Sequence, residues 1–133
     1  MYALDTLPLY LLEPLQDRSL SALRQAVEAA NQRWLYADLS KCRTLSSVLH
    51  RLADLLKLPA HFGQNLDALY DCLAEMTPPP AAHPGFVVVI EGLLSAVPIA
   101  QRNALLEVLQ RVGEDFARRG VAYRVFYALA DQD

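Results

Sequence analysis

The chain has 133 residues, of which 53% are hydrophobic and 20% are charged, and its formal net charge is −3. This length suits one domain with a substantial core, and the composition argues against a disordered chain. A net negative charge does not favour nucleic-acid binding, which usually needs a basic stripe, but it permits a basic protein partner.

The cysteines and the first residues indicate the compartment. Cys42 and Cys72 lie far apart in the sequence, and no histidine stands at a metal-ligand spacing from them. Residues 1–5 lack the basic and then apolar pattern of a secretion signal, and no apolar run approaches the roughly 20 residues that span a bilayer. We therefore expect a cytoplasmic protein with two reduced, buried thiols, no metal and no cofactor.

The first half of the chain predicts two strands and two helices. A short apolar run, Leu7 to Leu12, is bounded by prolines and can form at most an edge strand. Apolar residues then recur at helical spacing over residues 19–31, and a strand is predicted over residues 34–39. Thr44 offers an N-cap for a helix that continues through Leu56.

The second half repeats this alternation. A helix is predicted over residues 66–76, and the mostly β-branched run at residues 86–90 predicts a strand covered on both faces, as in parallel sheets. Pro98 can begin the last helix, for which Gly120 is a natural end. A final strand is predicted over residues 121–129.

The predicted order, β-α-β-α-α-β-α-β, implies parallel crossover connections. We therefore predict an α/β domain of two or three layers, in which helices flank a small parallel sheet of three or four strands. Residues 1–31 are expected to form a βα extension packed on the sheet edge, and residues 32–133 to form the main domain.

Three acidic residues stand out on the predicted third helix. Asp67, Asp71 and Glu75 are each four residues apart and form one ridge, and no Lys or Arg occurs between Leu58 and Gln101. Like charges at this spacing destabilise a helix by a few tenths of a kcal/mol per pair. The ridge is either a solvated helix face or a surface complementary to cations, and the spacing alone does not decide between them.

Features of catalytic sites are weak. Ser46, Ser47 and His50 fall within one helical pattern, without the strand-turn-helix motif that exposes a nucleophilic serine. The sequence has only 5 glycines and contains no glycine-rich phosphate loop. We therefore expect a protein that is not an enzyme.

Residues 58–73, LPAHFGQNLDALYDCL, closely resemble the signature of barstar-like ribonuclease inhibitors. Weaker similarity, with the same order of elements, extends from about Trp34 to Leu129. The residues that match the signature are Leu58, Pro59, Phe62, Gly63, Asn65, Leu66, Asp67, Ala68, Leu69, Asp71, Cys72 and Leu73.

This resemblance implies a 1:1 complex in which the loop and the helix block the active site of a basic, barnase-like ribonuclease. In the family, carboxylates take the place of RNA phosphates. Asp71 would occupy the phosphate position, and Asp67 would pair with a basic residue on the guanine side of the cleft. Gly63 and Asn65 would shape the loop where it approaches the enzyme.

The remaining contacts implied by the resemblance include departures from the signature. The family uses an acidic residue on the last helix, and either Glu114 or Asp115 falls there. Phe62 keeps an aromatic of the loop, whereas His61 replaces a second one and either stacks in the active site or is an ordinary exposed histidine. Tyr70 replaces the common tryptophan and is a core residue, an interface residue or both.

Taken with the resemblance, the sequence predicts a protein that inhibits a barnase-like ribonuclease, as an antitoxin or immunity protein does. Such a protein would neutralise the producer's own enzyme or an incoming toxin. The alternative is a non-inhibitory α/β module that binds or regulates another protein on the same scaffold, which residues 1–31 and the replacement at His61 favour.

Overall fold

The computed structural model describes residues 4–58, 65–94 and 97–130. A short 3-10 helix at Leu4–Thr6 precedes the regular elements. The strands are β1 (Tyr10–Pro14), β2 (Arg33–Asp38), β3 (Gly85–Leu94) and β4 (Ala122–Ala130). The helices are α1 (Leu20–Ala29), α2 (Leu45–Leu55), α3 (Leu66–Ala74) and α4 (Ile99–Arg118). The predicted order of elements is confirmed.

All four strands are parallel and form one sheet in the order β1-β4-β3-β2. The two central strands are paired with Phe86 opposite Tyr123 and Ile90 opposite Tyr127. The predicted parallel α/β fold is confirmed. The first 31 residues contribute β1, which lies at the edge of the sheet beside β4.

The predicted bounds of the first strand were wrong, because a local turn and a long-range contact occupy its first residues. Leu7 donates its backbone N–H to Leu4 and closes the 3-10 turn. The guanidinium of Arg124, on β4, then binds the carbonyl oxygens of Leu7 (3.1 Å) and Pro8 (2.9 Å). The ladder therefore starts only at Tyr10 and continues to Pro14.

The third strand is longer than predicted, because a bulge carries it past Ile90. The pairing with β4 shifts between Ile90 and Leu93. Gly92 lies within this shift at φ +74°, and a Cβ there would lie 2.8 Å from the backbone nitrogen of Ser40. Only glycine can adopt this φ without strain and leave room for the backbone of Ser40. The bulge therefore depends on Gly92, which interrupts the apolar run of the strand.

Hydrophobic clusters cover both faces of the sheet. Side chains alternate along the central strands, so that Phe86, Val88 and Ile90 face α2, α3 and α4, while Val87 and Val89 face α1. The larger cluster contains stacked and tilted rings with centroids 5.0–5.6 Å apart, those of Phe86, Phe116 and Tyr123. The domain therefore has three layers.

Across the described ranges, no helix is both long and apolar enough to cross a membrane.

Candidate functional site

The helix α3 begins at a side-chain cap. The Oδ1 atom of Asn65 accepts a hydrogen bond from the backbone N–H of Ala68 at 2.8 Å, and Asp67 lies in the first turn, where the helix dipole favours a negative charge. The helix ends at Ala74, two residues before the predicted end. The chain tightens there, because the N–H of Met76 bonds to the carbonyl of Leu73.

One side of α3 is fixed in the core and the other is exposed. Leu69 and Leu73 have only 0% and 1% of their surface exposed, and they pack in the cluster between the sheet and α2–α4. Asp67, Asp71 and Glu75 are all exposed. We call these three carboxylates the acidic face. Its position is set by the buried leucines, so the charges are held on a rigid backbone.

The acidic face has no cationic partner among the described residues. The ion pairs among the described residues join other carboxylates to arginines: Glu13 to Arg18, Glu28 to Arg24, and Asp115 to Arg118. Burial raises the pKa of the neighbouring Cys72 thiol, and the negative charges of Glu75 and Asp71 on the acidic face raise it further. Among the described residues, no cation therefore neutralises the side chains of this face.

Both cysteines are free thiols, as predicted, but the prediction that both are buried was correct only for Cys42. Cys42 is buried, whereas Cys72 is only half-buried. Cys72 packs against the edge of the core cluster while it remains next to Asp71 on the helix. Its position at the border of the core explains this partial exposure.

Tyr70 connects α3 with α4. Its hydroxyl donates a hydrogen bond to Oδ2 of Asp115, and the same carboxylate accepts a second bond from Arg118. The Tyr70 side chain is half-buried and contacts the core cluster. The bond to Asp115 and, secondarily, burial raise the pKa of Tyr70, and these effects outweigh the opposing charges of Arg111 and Arg118.

Of the two acidic residues predicted on the last helix, only Asp115 adjoins α3. Consecutive residues on a helix point about 100° apart, so Glu114 faces elsewhere. Burial of Tyr10 on β1 raises the pKa of that tyrosine, and the negative charge of Glu114 raises it further. Glu114 also accepts a long hydrogen bond of 3.4 Å from Gln110. The geometry thus joins Asp115 to α3 through Tyr70, whereas the described contacts of Glu114 are with other residues.

Sequence reasoning missed the arginines of α4. The Cζ atom of Arg111 lies 4.3 Å from the centroid of the Tyr70 ring, and Nη2 of Arg119 lies 3.5 Å from the carbonyl oxygen of Ala74 at the end of α3. The stretch without Lys or Arg around α3 is therefore flanked by cations in space. The helical spacing of Arg111, Asp115 and Arg118 could have indicated a common face.

The serines of α2 have a structural task. Thr44 Oγ1 accepts from the N–H of Ser47 at 3.1 Å, and Ser47 Oγ accepts from the N–H of Thr44 at 3.2 Å, which makes a reciprocal capping box. Ser46 and His50 are exposed. Ser47 therefore helps to begin the helix, and the described contacts do not join a nucleophile to a base.

A shallow groove of about 430 Å³ separates the start of α2 from the start of α3. Three leucines, Leu45, Leu49 and Leu66, line it together with the polar residues Ser46, Asn65 and Asp67. Such a groove can hold the methylene stem of a long cationic side chain while the carboxylate binds its charged end.

Three predicted contact residues, His61, Phe62 and Gly63, lie outside the described residues. Their assignment to a nuclease contact stays a prediction. The described part of the site therefore consists of α3 and the facing side of α4.

The chain matches the model of a known protein family. A family model with the description Barstar (barnase inhibitor) matches residues 32–128. The match includes β2, α2, α3, β3, α4 and most of β4, together with the acidic face, and it leaves out β1 and α1. No curated protein matches the chain.

Proposed function

The chain belongs to the barstar family of barnase inhibitors, and on this premise we propose that it inhibits a basic, barnase-like ribonuclease by blocking the active site with α3. Barstar family proteins are inhibitors rather than enzymes. In this proposal the chain performs no reaction, and it acts by steric occlusion and by presenting carboxylates where RNA would present phosphates.

The observation that carries the proposal is the exposure of Asp67 and Asp71 without cationic partners in the described chain. A ribonuclease must bind a polyanion, so its active site supplies the cations that the acidic face lacks. Binding would relieve the repulsion along α3 and would speed and orient encounter. Because Leu69 and Leu73 already fix α3 in the core, little ordering is needed on binding.

We assign the leading role to Asp71, which would take the phosphate position. Asp67, beside its leucine-lined groove, would bind a long basic side chain of the enzyme. Asp115 would be a weaker contact, because its carboxylate already accepts bonds from Tyr70 and Arg118. Glu75, at the end of α3, would be peripheral.

The other contacts would come from Tyr70 and from the loop before α3. Asn65 caps α3 and would hold the end of that loop in place, while His61, Phe62 and Gly63 would complete the contact. A 1:1 complex of this kind would bury about 800 Å² on each partner. The protein would act in the cytoplasm as an antitoxin or immunity protein.

A second candidate is a module that binds or regulates another protein without inhibiting a ribonuclease. The observation that favours it is the position of β1 and α1, which lie outside the family match yet belong to the same sheet and core. The two candidates differ in one result, since only an inhibitor abolishes RNA cleavage.

The test is to titrate RNA cleavage by a panel of purified barnase-like ribonucleases with the full chain. We expect at least one enzyme to lose its activity at one equivalent of the chain. The double variant Asp67→Ala/Asp71→Ala should fail to inhibit, whereas Glu28→Ala, which removes an exposed carboxylate from α1, should inhibit like the wild type. If every enzyme keeps its activity, the non-inhibitory candidate replaces this proposal.

A further inference from the structure

Arg111 is an exposed cation beside Tyr70 of α3, and it lacks an acidic partner in the described part of the chain. Asp115, four residues later on α4, is at the usual distance for a helical ion pair. That carboxylate instead binds Arg118 and the hydroxyl of Tyr70. The guanidinium of Arg111 lies over the Tyr70 ring, so its N–H groups are free to bind a group outside the protein.

The guanidinium is also held in place before any partner arrives. Its Cζ atom is 4.3 Å from the centroid of the Tyr70 ring, which is within the range of a cation–π contact. The ring itself is fixed by its bond to Asp115 and by the core beneath it. An arginine ordered in this way loses little side-chain entropy on binding, and its planar fork matches a carboxylate.

The charges around Tyr70 therefore form a mixed pattern. Asp67 and Asp71 lie on α3, whereas Arg111 lies on the α4 side of the same tyrosine. A partner that is basic over its whole contact surface would be attracted by the carboxylates and repelled by Arg111. A partner with a basic centre and an acidic group opposite Arg111 would satisfy both.

We infer that Arg111 selects the partner, and that the cognate ribonuclease carries an Asp or Glu side chain on the rim of its active site that binds the Arg111 guanidinium. This inference rests on the proposed function and names a chemical feature of its target. Arg111 and Tyr70 together form a contact that distinguishes this target from other basic ribonucleases.

The test compares association and dissociation rates of the complex for the wild type, Arg111→Leu, Arg111→Lys and Arg24→Leu. Arg24 is a matched control, because it is an exposed arginine on α1, on the opposite face of the sheet. Both leucine variants remove one positive charge and should associate slightly faster with a basic enzyme. Only Arg111→Leu should also dissociate faster, by about tenfold, the size of one charge-assisted hydrogen bond.

Arg111→Lys keeps the charge but loses the planar fork, and its dissociation rate should lie between those of the wild type and Arg111→Leu. Denaturant unfolding of each variant separates a loss of binding from a loss of stability. If the folded Arg111→Leu variant dissociates from the enzyme at the wild-type rate, the inference is overturned.

The acidic partner residue can be found by replacing each Asp and Glu on the rim of the enzyme's active site with Ala. One replacement should be strongly non-additive with Arg111→Leu in a double-mutant cycle. Additive effects at every position would contradict the inference.

The failure of this inference is distinguishable from that of the proposed function. If no ribonuclease binds, both are overturned. If binding depends on Asp71 but Arg111→Leu dissociates like the wild type, only the role of Arg111 is overturned.

Discussion

At the scale of single residues, neighbouring carboxylates have different tasks. Asp115 lies beside the acidic face but is engaged by Tyr70 and Arg118, so it holds α3 against α4. Asp71 has no such partner in the described chain, and in the proposed complex it would bind a cation of the enzyme. Charge alone would not separate these roles, whereas the hydrogen bonds do.

The sequence predicted the carboxylates of α3 because they share one helix, where spacing determines which residues are neighbours. The choice between Glu114 and Asp115 depended on which side of α4 faces α3, and this is a tertiary contact. Arg111 was missed for the same reason, since its contact with Tyr70 joins two helices that are far apart in the chain.

Tyr36 lies on β2, the edge strand opposite β1, and its titration tests the electrostatic interactions there. Its hydroxyl donates to Glu91 at 2.5 Å, and this bond, with burial and the negative charge of Glu91, raises the pKa of Tyr36 to about 12. The folded protein thus holds the phenol proton more tightly than the unfolded chain, in which the pKa is about 10. The resulting stability is complete below about pH 10 and is lost as the pH rises through about 12.

We predict that Glu91→Gln returns the titration of Tyr36 toward about pH 10, as followed by the ultraviolet absorbance of tyrosinate. Tyr36→Phe identifies the step that belongs to this residue. An upper step that is unchanged in Glu91→Gln would show that another group raises the pKa.

At the scale of elements, local signals predicted which helices form but not where every element begins and ends. The cap at Asn65 and the apolar spacing after it correctly placed the start of α3. The start of β1 could not be predicted, because Arg124, more than a hundred residues away in sequence, binds the carbonyls that precede the strand. The close approach of Gly92 to Ser40 at the bulge is likewise a tertiary contact.

Replacement of the α3 cap should weaken the element that carries the acidic face. Asn65→Ala removes the acceptor for the Ala68 N–H and should lower the free energy of unfolding by about 1 kcal/mol, as measured by urea denaturation. Asn65→Asp keeps an acceptor at the same position and should stay near the wild type. Equal stability of Asn65→Ala and Asn65→Asp would contradict the role of the cap.

At the scale of the whole molecule, the alternation of strands and helices predicted a parallel α/β sheet, and this is confirmed. The order of strands within the sheet could not be read from the chain, because β4 enters between β1 and β3. The division into an extension of residues 1–31 and a main domain stays a prediction. The structure adds that α1 covers the sheet face opposite α3.

We predict that α1 unfolds together with the rest of the domain. Leu23 is 0% exposed and packs with Val27 against the sheet, so Leu23→Ala should lower the free energy of unfolding by about 2–5 kcal/mol. Trp34, the single tryptophan, packs on the same cluster. Its fluorescence and the far-ultraviolet circular dichroism should therefore change at one common denaturant midpoint.

The variant should still bind a ribonuclease with wild-type affinity while it is folded, because α3 lies on the other face of the sheet. A fluorescence transition that shifts alone would indicate that residues 1–31 form a separate unit.

Association with the enzyme should depend on salt. In the proposed complex the exposed carboxylates of α3 would steer a basic partner at long range, and added ions would screen this attraction. Raising the ionic strength should therefore slow association measured by stopped flow, with a smaller change in dissociation. An association rate that does not change with salt would contradict the acidic face as the guiding surface.

The most direct measurement is the dissociation rate of Asp71→Ala from a ribonuclease that the wild-type chain inhibits. If the Asp71 carboxylate takes the phosphate position, its loss leaves cations of the enzyme unpaired, which typically costs at least about 2 kcal/mol. We expect dissociation at least about 30-fold faster than for the wild type, with an unchanged circular dichroism spectrum. Dissociation of the folded variant at the wild-type rate would contradict the account.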